Sequence, residues 1–569
     1  MPAVMPPAQP SPAASLSTAP LHDAARAAPL QAADAVVGLV ALTFAALLVR
    51  LCLRHTLWYD EAMLVTNIAE GTLGDLFGPL PFYDQAAPQL YLLLLKAVHG
   101  VFGVNEIALR MPAWLAAAAA VFILVRWMPG LDALERACAA AVLIGGYTFA
   151  YLTTEAKPYT GEVLVSCALM AFFQSTGPLP LPAVLTRLGV LLVAMASAST
   201  FPLVALAVGA QAHLRGVRKP GDIRRLVLPR LASTGWIFAA AGIVYVLYYL
   251  LHIKPAYQAI LGNFGYTYES FGYARTASYP VWLVAKVWEI LESHYAIISI
   301  VVLAAIPLGL LPLRGRGTAY PVQAGVLFAA MIGLNAIGVF PILPARFSVF
   351  ILPWLAVFAG AGMAMLLARL TDRVVQLLAA TGLALVVMVP ALVSIVSPIT
   401  HPAGRSVALL RSAPAGPIMV TVSAQPAFDI YVKPPVGAGA DRCMAPSVLG
   451  YTNRCRALKA PGDGVFVGRD TKWYLLNYAS VIGRGLEPVG FPGPSPRAFV
   501  DSYLDWLSNE LPIGKPVLLF TAAPTPRDSD ADPLQARLKT IATVERLVDD
   551  RIDVDSSRAG RIDRVLRSR

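Results

Sequence analysis

Long apolar runs alternate with short polar segments along the first two thirds of the chain. The first run extends from Val36 to Leu53, and about 20 apolar residues suffice to cross a bilayer as an α-helix. Further runs occupy residues 108–127, 134–152, 159–175, 183–197, 200–214, 231–252, 292–312, 320–340, 347–367 and 374–396. The pattern therefore predicts an α-helical polytopic membrane protein with about 11 transmembrane helices.

The charges of the loops predict which side of the membrane each loop occupies. If the N-terminus is cytoplasmic, loops 215–230, 313–319 and 368–373 are cytoplasmic too, and each carries at least two Lys or Arg residues. Cytoplasmic loops of membrane proteins carry such an excess of positive charge. In this orientation residues 90–102 form a helix on the outer surface rather than a span, and the polar C-terminal part lies outside.

Composition divides the chain into three parts. Residues 1–33 are rich in Ala, Pro and Ser and are predicted to form a disordered cytoplasmic N-terminus. Residues 34–398 hold the apolar runs and form the transmembrane domain. Residues 399–569 are polar and are expected to form a soluble extracytoplasmic domain, on the same side of the membrane as the outer loops.

The soluble part has its own secondary-structure pattern. The segments that begin at Pro417 and Pro516 are predicted to be short buried strands, and residues 534–548 are predicted to form an amphipathic helix. A small α/β domain is therefore expected. Cys443 and Cys455 lie in this domain, and an extracytoplasmic location permits a disulfide between them.

Composition excludes a soluble globular protein. The 569 residues are 57% hydrophobic and only 14% charged, with a mean hydropathy of +0.62, so the bilayer must solvate much of the surface. The net charge of +11 would favour nucleic-acid binding in a soluble protein. Because Lys and Arg gather in the predicted cytoplasmic loops, we expect the lipid bilayer as a partner and no nucleic acid.

Two adjacent acids follow the first apolar run. Asp60 and Glu61 come directly after Trp58 and Tyr59, whose rings suit the headgroup level of a bilayer. An acid pair held at a membrane surface meets substrates that have a lipid tail and a polar head. The alternative is structural: Asp60 would cap a helix over Glu61–Glu70, and Glu61 would interact with the positive end of its dipole.

The predicted outer loops contain more side chains that suit a polar substrate. They are Asp84, Glu155, Lys157, Tyr159, Arg275 and Arg346. Several also have a structural explanation. Glu155 and Lys157 would form a solvated loop pair, Arg346 would end a span, and Asp84 would cap a turn.

Five segments occur in an order that resembles a known family. They are Trp-Tyr-Asp-Glu-Ala at 58–62, Tyr-Asp-Gln-Ala-Ala-Pro-Gln-Leu-Tyr-Leu-Leu at 83–93, Phe-Gly-Val-Asn-Glu-Ile-Ala-Leu-Arg-Met-Pro at 102–112, Glu-Ala-Lys-Pro-Tyr at 155–159 and Pro-Ala-Arg-Phe at 344–347. Over residues 35–370 this order is similar to that of the GT-C glycosyltransferases of the protein mannosyltransferase and lipid A aminoarabinose transferase type.

The resemblance implies a hexosyl or pentosyl transfer reaction. The donor would be a polyprenyl-phosphate-linked sugar, the acceptor a glycan, lipid or protein, and the location the bacterial inner membrane. Asp60 would act as the general base that takes a proton from the acceptor hydroxyl, while Glu61 would orient it or contact the sugar. The hydroxyl would displace the lipid phosphate with inversion at the anomeric carbon.

The chain departs from the family's pattern at Gln85-Ala86-Ala87-Pro88, where relatives often have His-Pro-Pro or Glu-Lys-Pro. A contact to the donor phosphate is therefore expected from elsewhere. Lys157 and Arg346 are the predicted substitutes, because cations, and the bidentate fork of Arg in particular, suit a phosphate. Further candidates are Arg54, Arg275 and Arg110, of which Arg110 has the alternative role of bracing the outer loop.

Other signatures leave the cofactor and one alternative function open. The sequence contains no Gly-rich phosphate loop and no His/Cys cluster with zinc spacing, and a divalent cation held by Asp60 and Asp84 stays open. A transporter or flippase for a lipid-linked saccharide is the alternative, with a non-catalytic scaffold as the third. A transporter would need polar residues deep within the spans, and the spans are poor in them, so glycosyl transfer is favoured.

Overall fold

The computed structural model describes most of the membrane bundle and parts of the C-terminal domain. The described residues are 19–54, 56–82, 85–173, 181–214, 225, 227–230, 235–256, 258, 272–274, 278–397, 404–412, 418–420, 425–432, 442–446, 452–456, 465–467, 513–514, 516–521, 538–549 and 561–567. Among them, helices make up the membrane part, and the strands follow residue 417.

The membrane part is built from α-helices. Those before residue 215 are α1 (Ala19–Leu53), α2 (Tyr59–Glu70), α3 (Gln89–Phe102), α4 (Glu106–Trp127), α5 (Ala133–Gly145), α6 (Tyr147–Leu152), α7 (Tyr159–Phe172), α8 (Leu181–Ser197) and α9 (Phe201–Leu214). The following ones are α10 (Trp236–Tyr248), α11 (Tyr279–Tyr295), α12 (Ser299–Gly315), α13 (Tyr320–Ala336), α14 (Leu352–Leu367) and α15 (Arg373–Val396). Each predicted apolar run coincides with one or two of these helices over its described residues.

Helix length and composition confirm the membrane character. Within the described residues, the helical stretches long and apolar enough to cross a bilayer number 6, namely Leu30–Leu53, Glu106–Trp127, Trp236–Ala256, Tyr279–Gly315, Val349–Leu367 and Arg373–Val396. Shorter apolar helices of 10–17 residues, among them α7, α8, α9 and α13, lie between them in the chain. The protein is therefore an integral, polytopic membrane protein, as the sequence predicts.

The first helix begins earlier than the sequence indicates. Disorder is predicted for residues 1–33, yet α1 starts at Ala19. Nearly half of residues 19–33 are Ala, which has the highest helix propensity, so this segment extends the first span. The predicted boundary of the disordered N-terminus is wrong, and residues 1–18 lie outside the described residues.

Glycines allow the central helices to pack closely. α14 is the most enclosed candidate span, with 89% of its apolar window buried. A Cβ on Gly362 would lie 2.1 Å from the carbonyl oxygen of Ala305 in α12, and one on Gly309 of α12 would lie 1.9 Å from a carbonyl oxygen of α14. Gly360 meets the backbone of α5 in the same way, at 2.4 Å. Small residues at such crossings let helix backbones approach and pack without side chains between them.

α2 and α3 form a layer beside the bundle. They share an apolar cluster that includes Val65 and Leu95. Lys96 of α3 donates to the carbonyl oxygens of Ile68 at 2.6 Å and Gly71 at 2.7 Å, at the C-terminal end of α2, where a positive charge is favourable. α3 covers the residues predicted from the loop charges to lie on the outer surface, a position that stays a prediction, and it fixes the helix that carries the acid pair.

A mixed β-sheet forms the core of the C-terminal part. The strands are β1 (Ile418–Val420), β2 (Arg442–Pro446), β3 (Thr452–Arg456), β4 (Val465–Val467), β5 (Pro516–Thr521), β6 (Ala542–Asp549) and β7 (Arg561–Arg567). The sheet has the order β4-β1-β5-β7-β6, in which β1 is parallel to β4 and β5, and β7 is antiparallel to β5 and β6. The strands predicted after Pro417 and Pro516 are confirmed as β1 and β5.

The helix predicted over residues 534–548 is wrong. Residues 538–541 form one helical turn, and β6 continues from it as a strand paired with β7. The β-branched Thr543, Val544 and Val548 favour an extended backbone. Pairing with β7 therefore overrides the helical spacing of the apolar residues.

A hairpin of β2 and β3 places two cysteines opposite each other. In its antiparallel register, Cys443 is the Cα partner of Cys455. Directly opposed residues of such a pair have Cα atoms about 4.5–5.5 Å apart, within the range that a disulfide spans. The side chains of this hairpin lie outside the described ones, so the disulfide stays a prediction.

Two helices lie between the sheet and α2, namely α16 (Gly404–Ser412) and α17 (Gln425–Tyr431), and α17 is the one that packs on α2. Phe428 of α17 packs with Phe520 and Ile562 of the sheet. The end of α17 also packs on the apolar cluster of α2 and α3. The sheet is thereby connected to the helix that carries the acid pair.

Candidate active site

The acid pair lies in the first turn of α2. The helix begins at Tyr59, so Asp60 is inside the turn and the N-cap alternative for Asp60 is wrong. Glu61 supplies the capping contact, because its Oε2 accepts a 3.1 Å hydrogen bond from the backbone N–H of Trp58. Asp60 is thereby left to interact with other loops.

A buried arginine holds Glu61. Arg110 of α4 donates from Nε to Oε1 at 2.9 Å and from Nη2 to Oε2 at 2.7 Å, and both side chains are fully enclosed. The same guanidinium donates to the carbonyl oxygens of Arg54 and Thr56, each at 2.8 Å. Bidentate pairs fix orientation as well as distance, so Arg110 braces the segments around the acid pair, and its fully enclosed side chain does not face a substrate in this structure.

Burial decides the role of Glu61. A further donor, the backbone N–H of Ala156, reaches Oε1 at 2.7 Å. Burial alone raises the pKa of Glu61, but the charge and hydrogen bonds of Arg110, with Arg54 and the Ala156 N–H, bring it below its ordinary value. Glu61 is 0% exposed, which favours the predicted role of orienting Asp60 over a contact with the sugar; the role of Glu61 stays a prediction.

Two arginines at the C-terminal end of α1 also brace the fold. Arg54 donates from Nη1 to the carbonyl oxygen of Thr154 at 3.0 Å and to its hydroxyl at 3.1 Å. Arg50 donates to the carbonyl oxygens of Ile395 and Ser397, both at 2.8 Å, at the C-terminal end of α15. Both side chains are buried and directed at protein oxygens, so Arg54 does not supply the predicted phosphate contact.

Asp60 lies between two cations from distant parts of the chain. Arg346 Nη1 donates to Oδ2 at 2.8 Å, and the Lys157 ammonium lies 3.3 Å from Oδ1. Side-chain exposure is 12% for Asp60, 5% for Lys157 and 35% for Arg346, so the arginine is the most open member. We call these three residues the ion triad; two positive charges and one negative charge give it a net charge of +1.

Lys157 is held on two sides. Its ammonium donates to Gln85 Oε1 at 2.9 Å in addition to its contact with Asp60. Burial lowers the pKa of Lys157, Asp60 partly offsets this, and the positive charge of Arg346 adds to the lowering. Gln85 belongs to the segment where the chain departs from the family's pattern, and the structure brings that segment to one of the two cations predicted as its substitutes.

Tyr159 and Phe347 form an aromatic shelf beside Arg346. The guanidinium carbon lies 5.8 Å from the ring centroid of Tyr159 and 5.1 Å from that of Phe347, within cation–π range. The preceding Ala345 has a φ of 54°, which non-glycine residues adopt rarely, and its N–H donates to Ser293 Oγ at 3.0 Å. Such strained backbone at a loop is typical of functional sites, and here it presents the arginine to the acid.

The 155–157 turn connects the two acids. The backbone N–H of Ala156 donates to Glu61, and the side chain of Lys157 contacts Asp60. The backbone N–H of Lys157 donates to the carbonyl oxygen of Glu155 at 2.8 Å. With exposures of 1% for Glu155 and 4% for Lys157, both residues are buried, so the solvated loop pair is wrong. Substrate binding by Glu155 stays a prediction.

Two predicted site residues lie outside the described part of the chain. They are Asp84 and Arg275, whose roles in binding stay predictions. The same holds for a divalent cation between Asp60 and Asp84. Among the described residues, no three His, Cys, Asp or Glu side chains group closely enough to hold a metal ion.

An apolar cavity of about 490 Å³ opens between α8, α9 and α10. Its lining includes Leu191, Phe201, Leu206, Phe238 and Tyr245. Phe201 directly follows Thr200, whose N–H donates to Glu162 of α7 at 3.2 Å. Glu162 lies one helical turn after Tyr159, so α7 carries both a ring of the aromatic shelf and the acid that binds the chain just before α9.

Three contacts of the site were not predicted from the sequence: Arg110 with Glu61, Gln85 with Lys157, and the Tyr431 hydroxyl with the backbone of Leu57. The charge of Arg110 near the start of an apolar run was an available signal, because a buried charge requires a partner. Local sequence does not distinguish Gln85 or Tyr431, because their partners are 72 and 374 positions away.

Comparison with known proteins bears on the fold. No family model and no curated protein sequence matches the chain. Among solved structures, apo ArnT from Cupriavidus metallidurans matches with a TM-score of 0.50 and 13% identity, covering 93% of this chain and 97% of that one. ArnT from the same organism bound to undecaprenyl phosphate matches with a TM-score of 0.49 and 14% identity over the same shares.

The apo structure confirms the fold class predicted from the sequence. ArnT is a lipid A aminoarabinose transferase with the GT-C fold, and this protein shares its architecture over most of both chains. At 13% identity the likeness establishes the fold alone, and the chemistry rests on the side chains of the site.

Proposed function

We propose that this protein, which has the GT-C fold, is a membrane glycosyltransferase. It would move a sugar from a polyprenyl-phosphate donor to a hydroxyl group of a glycan, lipid or protein outside the cytoplasm. The ion triad carries the proposal, because it combines a partly accessible carboxylate with two cations beside a helical membrane bundle. A general base and a phosphate-binding group are thereby adjacent.

Each step of an inverting displacement has a candidate group in the triad. Asp60 takes the proton of the acceptor hydroxyl while that oxygen bonds to the anomeric carbon. The bond from the anomeric carbon to the phosphate oxygen breaks, and its electron pair leaves on the lipid phosphate. Lys157 and Arg346 stabilise that charge, and a positioned base contributes typically about 10²–10⁴-fold in rate.

The surroundings of the triad fit a lipid-linked donor. Arg346 is open enough to turn from Asp60 to a phosphate, and the aromatic shelf of Tyr159 and Phe347 keeps it at the site. The apolar cavity of about 490 Å³ offers a location for the isoprenoid tail, since apolar chains favour apolar pockets. A polar head and an apolar tail would therefore bind in adjoining parts of the bundle.

The proposed location is the extracytoplasmic face of a bacterial inner membrane. The basic loops predicted to be cytoplasmic support this orientation. The N-terminus would then lie in the cytoplasm, and residues 399–569 would lie outside, on the side of the triad. This arrangement gives the acceptor access from outside the cell membrane.

Transfer can be tested with purified protein in liposomes that contain undecaprenyl phosphate carrying a radiolabelled hexose or pentose. We expect release of free undecaprenyl phosphate and labelling of an added membrane-extract acceptor. Asp60→Asn should reduce turnover by about 10²-fold or more. Asp75→Asn is the matched control, because Asp75 is a carboxylate of the same outer loop that contacts Thr72 rather than the triad.

Two outcomes would contradict the proposal. Near-normal turnover by Asp60→Asn would remove Asp60 as the base. Movement of intact donor across the liposome membrane, without release of undecaprenyl phosphate, would instead identify a flippase.

A further inference from the structure

One hydroxyl group joins the C-terminal domain to the first outer loop. Tyr431, the last residue of α17, accepts a 2.8 Å hydrogen bond from the backbone N–H of Leu57. Burial raises the pKa of Tyr431, and the negative charge of Glu106 adds to this rise, so Glu106 lies near the hydroxyl. Leu57 precedes α2 and Glu106 begins α4, so a residue of the C-terminal domain lies beside the start of both helices, which carry the acid pair and its arginine.

The ring of Tyr431 belongs to two apolar clusters at once. On one side it packs on the cluster of α2 and α3, with Leu57 and Leu109. On the other side it packs on the cluster of α16, α17 and the sheet, with Phe428 and Phe520. Arg411 of α16 also donates to the Tyr431 carbonyl oxygen at 2.5 Å, which fixes the backbone that carries the ring.

The hydroxyl lies beside both chain segments that support the acid pair. Leu57 is three residues before Asp60, and Glu106 is one helical turn before Arg110. Arg110 in turn holds Glu61. Movement of Tyr431 would therefore act on Asp60 from two sides. One is the chain that enters α2 at Leu57, and the other is α4, whose Arg110 holds the adjacent Glu61.

Packing alone would not require a tyrosine. A phenylalanine would fill the same apolar space, but it would leave the Leu57 N–H without the acceptor it now has. That N–H precedes α2, so the helix supplies no acceptor for it. The hydroxyl is therefore the part of Tyr431 that acts on the entry to the acid pair.

We propose that Tyr431 is a positioning residue, through which the C-terminal domain holds Asp60 at the reacting atoms. Its effect on turnover rests on the proposed function, whereas its effect on the entry to α2 does not. The C-terminal domain would thus be a structural part of the active site. Removal of the Tyr431 hydroxyl should therefore change the backbone at the start of α2, which belongs to the membrane domain.

The first test measures hydrogen–deuterium exchange in the full chain. In Tyr431→Phe we expect the backbone of residues 54–61 to exchange about fivefold faster or more than in the wild type, because one buried hydrogen bond is lost. Tyr320→Phe is the matched control: it loses a buried hydroxyl bonded to the Pro129 carbonyl oxygen at 2.6 Å, far from α2 in the chain. Unchanged exchange of residues 54–61 in Tyr431→Phe would overturn the proposal, whatever the activity.

The second test measures kinetics with the same variants. A displaced base should lower kcat by about 10- to 100-fold and leave KM for the polyprenyl-phosphate donor within about twofold, since Lys157 and Arg346 are untouched. Thermal unfolding should match that of Tyr320→Phe. Faster exchange with an unchanged kcat would overturn the catalytic part of the proposal.

A third variant covers the case in which Tyr431→Phe does not fold. Glu106→Gln keeps the tyrosine and removes the negative charge beside its hydroxyl, so it should change exchange and kcat in the same direction by a smaller factor. No change in either quantity would overturn the proposal. If the wild type transfers no sugar, the proposed function fails, while the exchange data still decide whether Tyr431 holds the entry to α2.

Discussion

At the scale of single residues, the strength of Asp60 as a base depends on whether Lys157 and Arg346 contact its carboxylate or a donor phosphate. In the structure both Lys157 and Arg346 contact the carboxylate. A carboxylate paired with two cations is a weak base, because the ion pairs favour its charged form. A donor phosphate that draws the cations away would make Asp60 more basic, so the base should become effective only once the donor is bound.

The lowered pKa of Lys157 gives a pH test of its role. Because burial lowers this pKa, the ammonium is present below the lowered value and is lost as the pH rises through it, earlier than for a free lysine. We expect kcat/KM for the donor to fall on the alkaline side accordingly. Lys157→Arg stays charged and should move this fall to higher pH, as measured by a pH profile of kcat/KM; an identical alkaline limb would contradict a phosphate-binding Lys157.

The buried pair of Glu61 and Arg110 should dominate stability rather than catalysis. Glu61→Gln leaves a buried guanidinium without its counter-charge, which costs about 3–5 kcal/mol of unfolding free energy. Glu545→Gln is the control, because its pair with Arg564 is 50–58% exposed and such pairs contribute little. Thermal unfolding in detergent checks both variants, and equal shifts would show that the buried pair is not a brace.

At the scale of elements, close crossing of α12 and α14 limits which residues they can carry. Gly362→Ala would place a methyl group 2.1 Å from the Ala305 carbonyl oxygen, so we expect a loss of about 1–3 kcal/mol. Gly382→Ala in α15 is the control, because nothing lies within 4 Å of its new Cβ and Ala favours the helix. The measurement is thermal unfolding, and a neutral Gly362→Ala would mean that the helices can separate at no cost.

Elements also show what the sequence could and could not predict. Membrane helices were predictable because the bilayer demands long apolar runs, whereas the predicted surface position of α3 depends on the charges of the loops and stays a prediction. The strand at 542–549 was not, since its backbone conformation comes from pairing with residues 561–567. For Lys157, Arg346 and Asp60, the sequence predicted only that all three lie on the outer face. It did not predict their contacts, because these join residues up to 286 positions apart.

At the scale of the whole molecule, the proposed orientation predicts opposite labelling of two surface positions. Glu545 in β6 and Arg314 at the end of α12 are both exposed. In a chain whose native cysteines are replaced by serine, Glu545→Cys should react with a membrane-impermeant maleimide from outside the cell. Arg314→Cys should react only after the membrane is broken; the reverse result would invert the topology and move the triad to the cytoplasmic face.

The net charge of the ion triad has a consequence for how the reaction ends. Before transfer, a phosphodiester of charge −1 would meet a triad of charge +1. Afterwards Asp60 holds the proton, two cations remain, and the freed phosphate monoester carries about −1.5 to −2. Attraction between enzyme and lipid therefore grows during turnover. Polyprenyl phosphate should be a product inhibitor that binds more tightly than the sugar-bearing donor. Release of polyprenyl phosphate should then limit the rate.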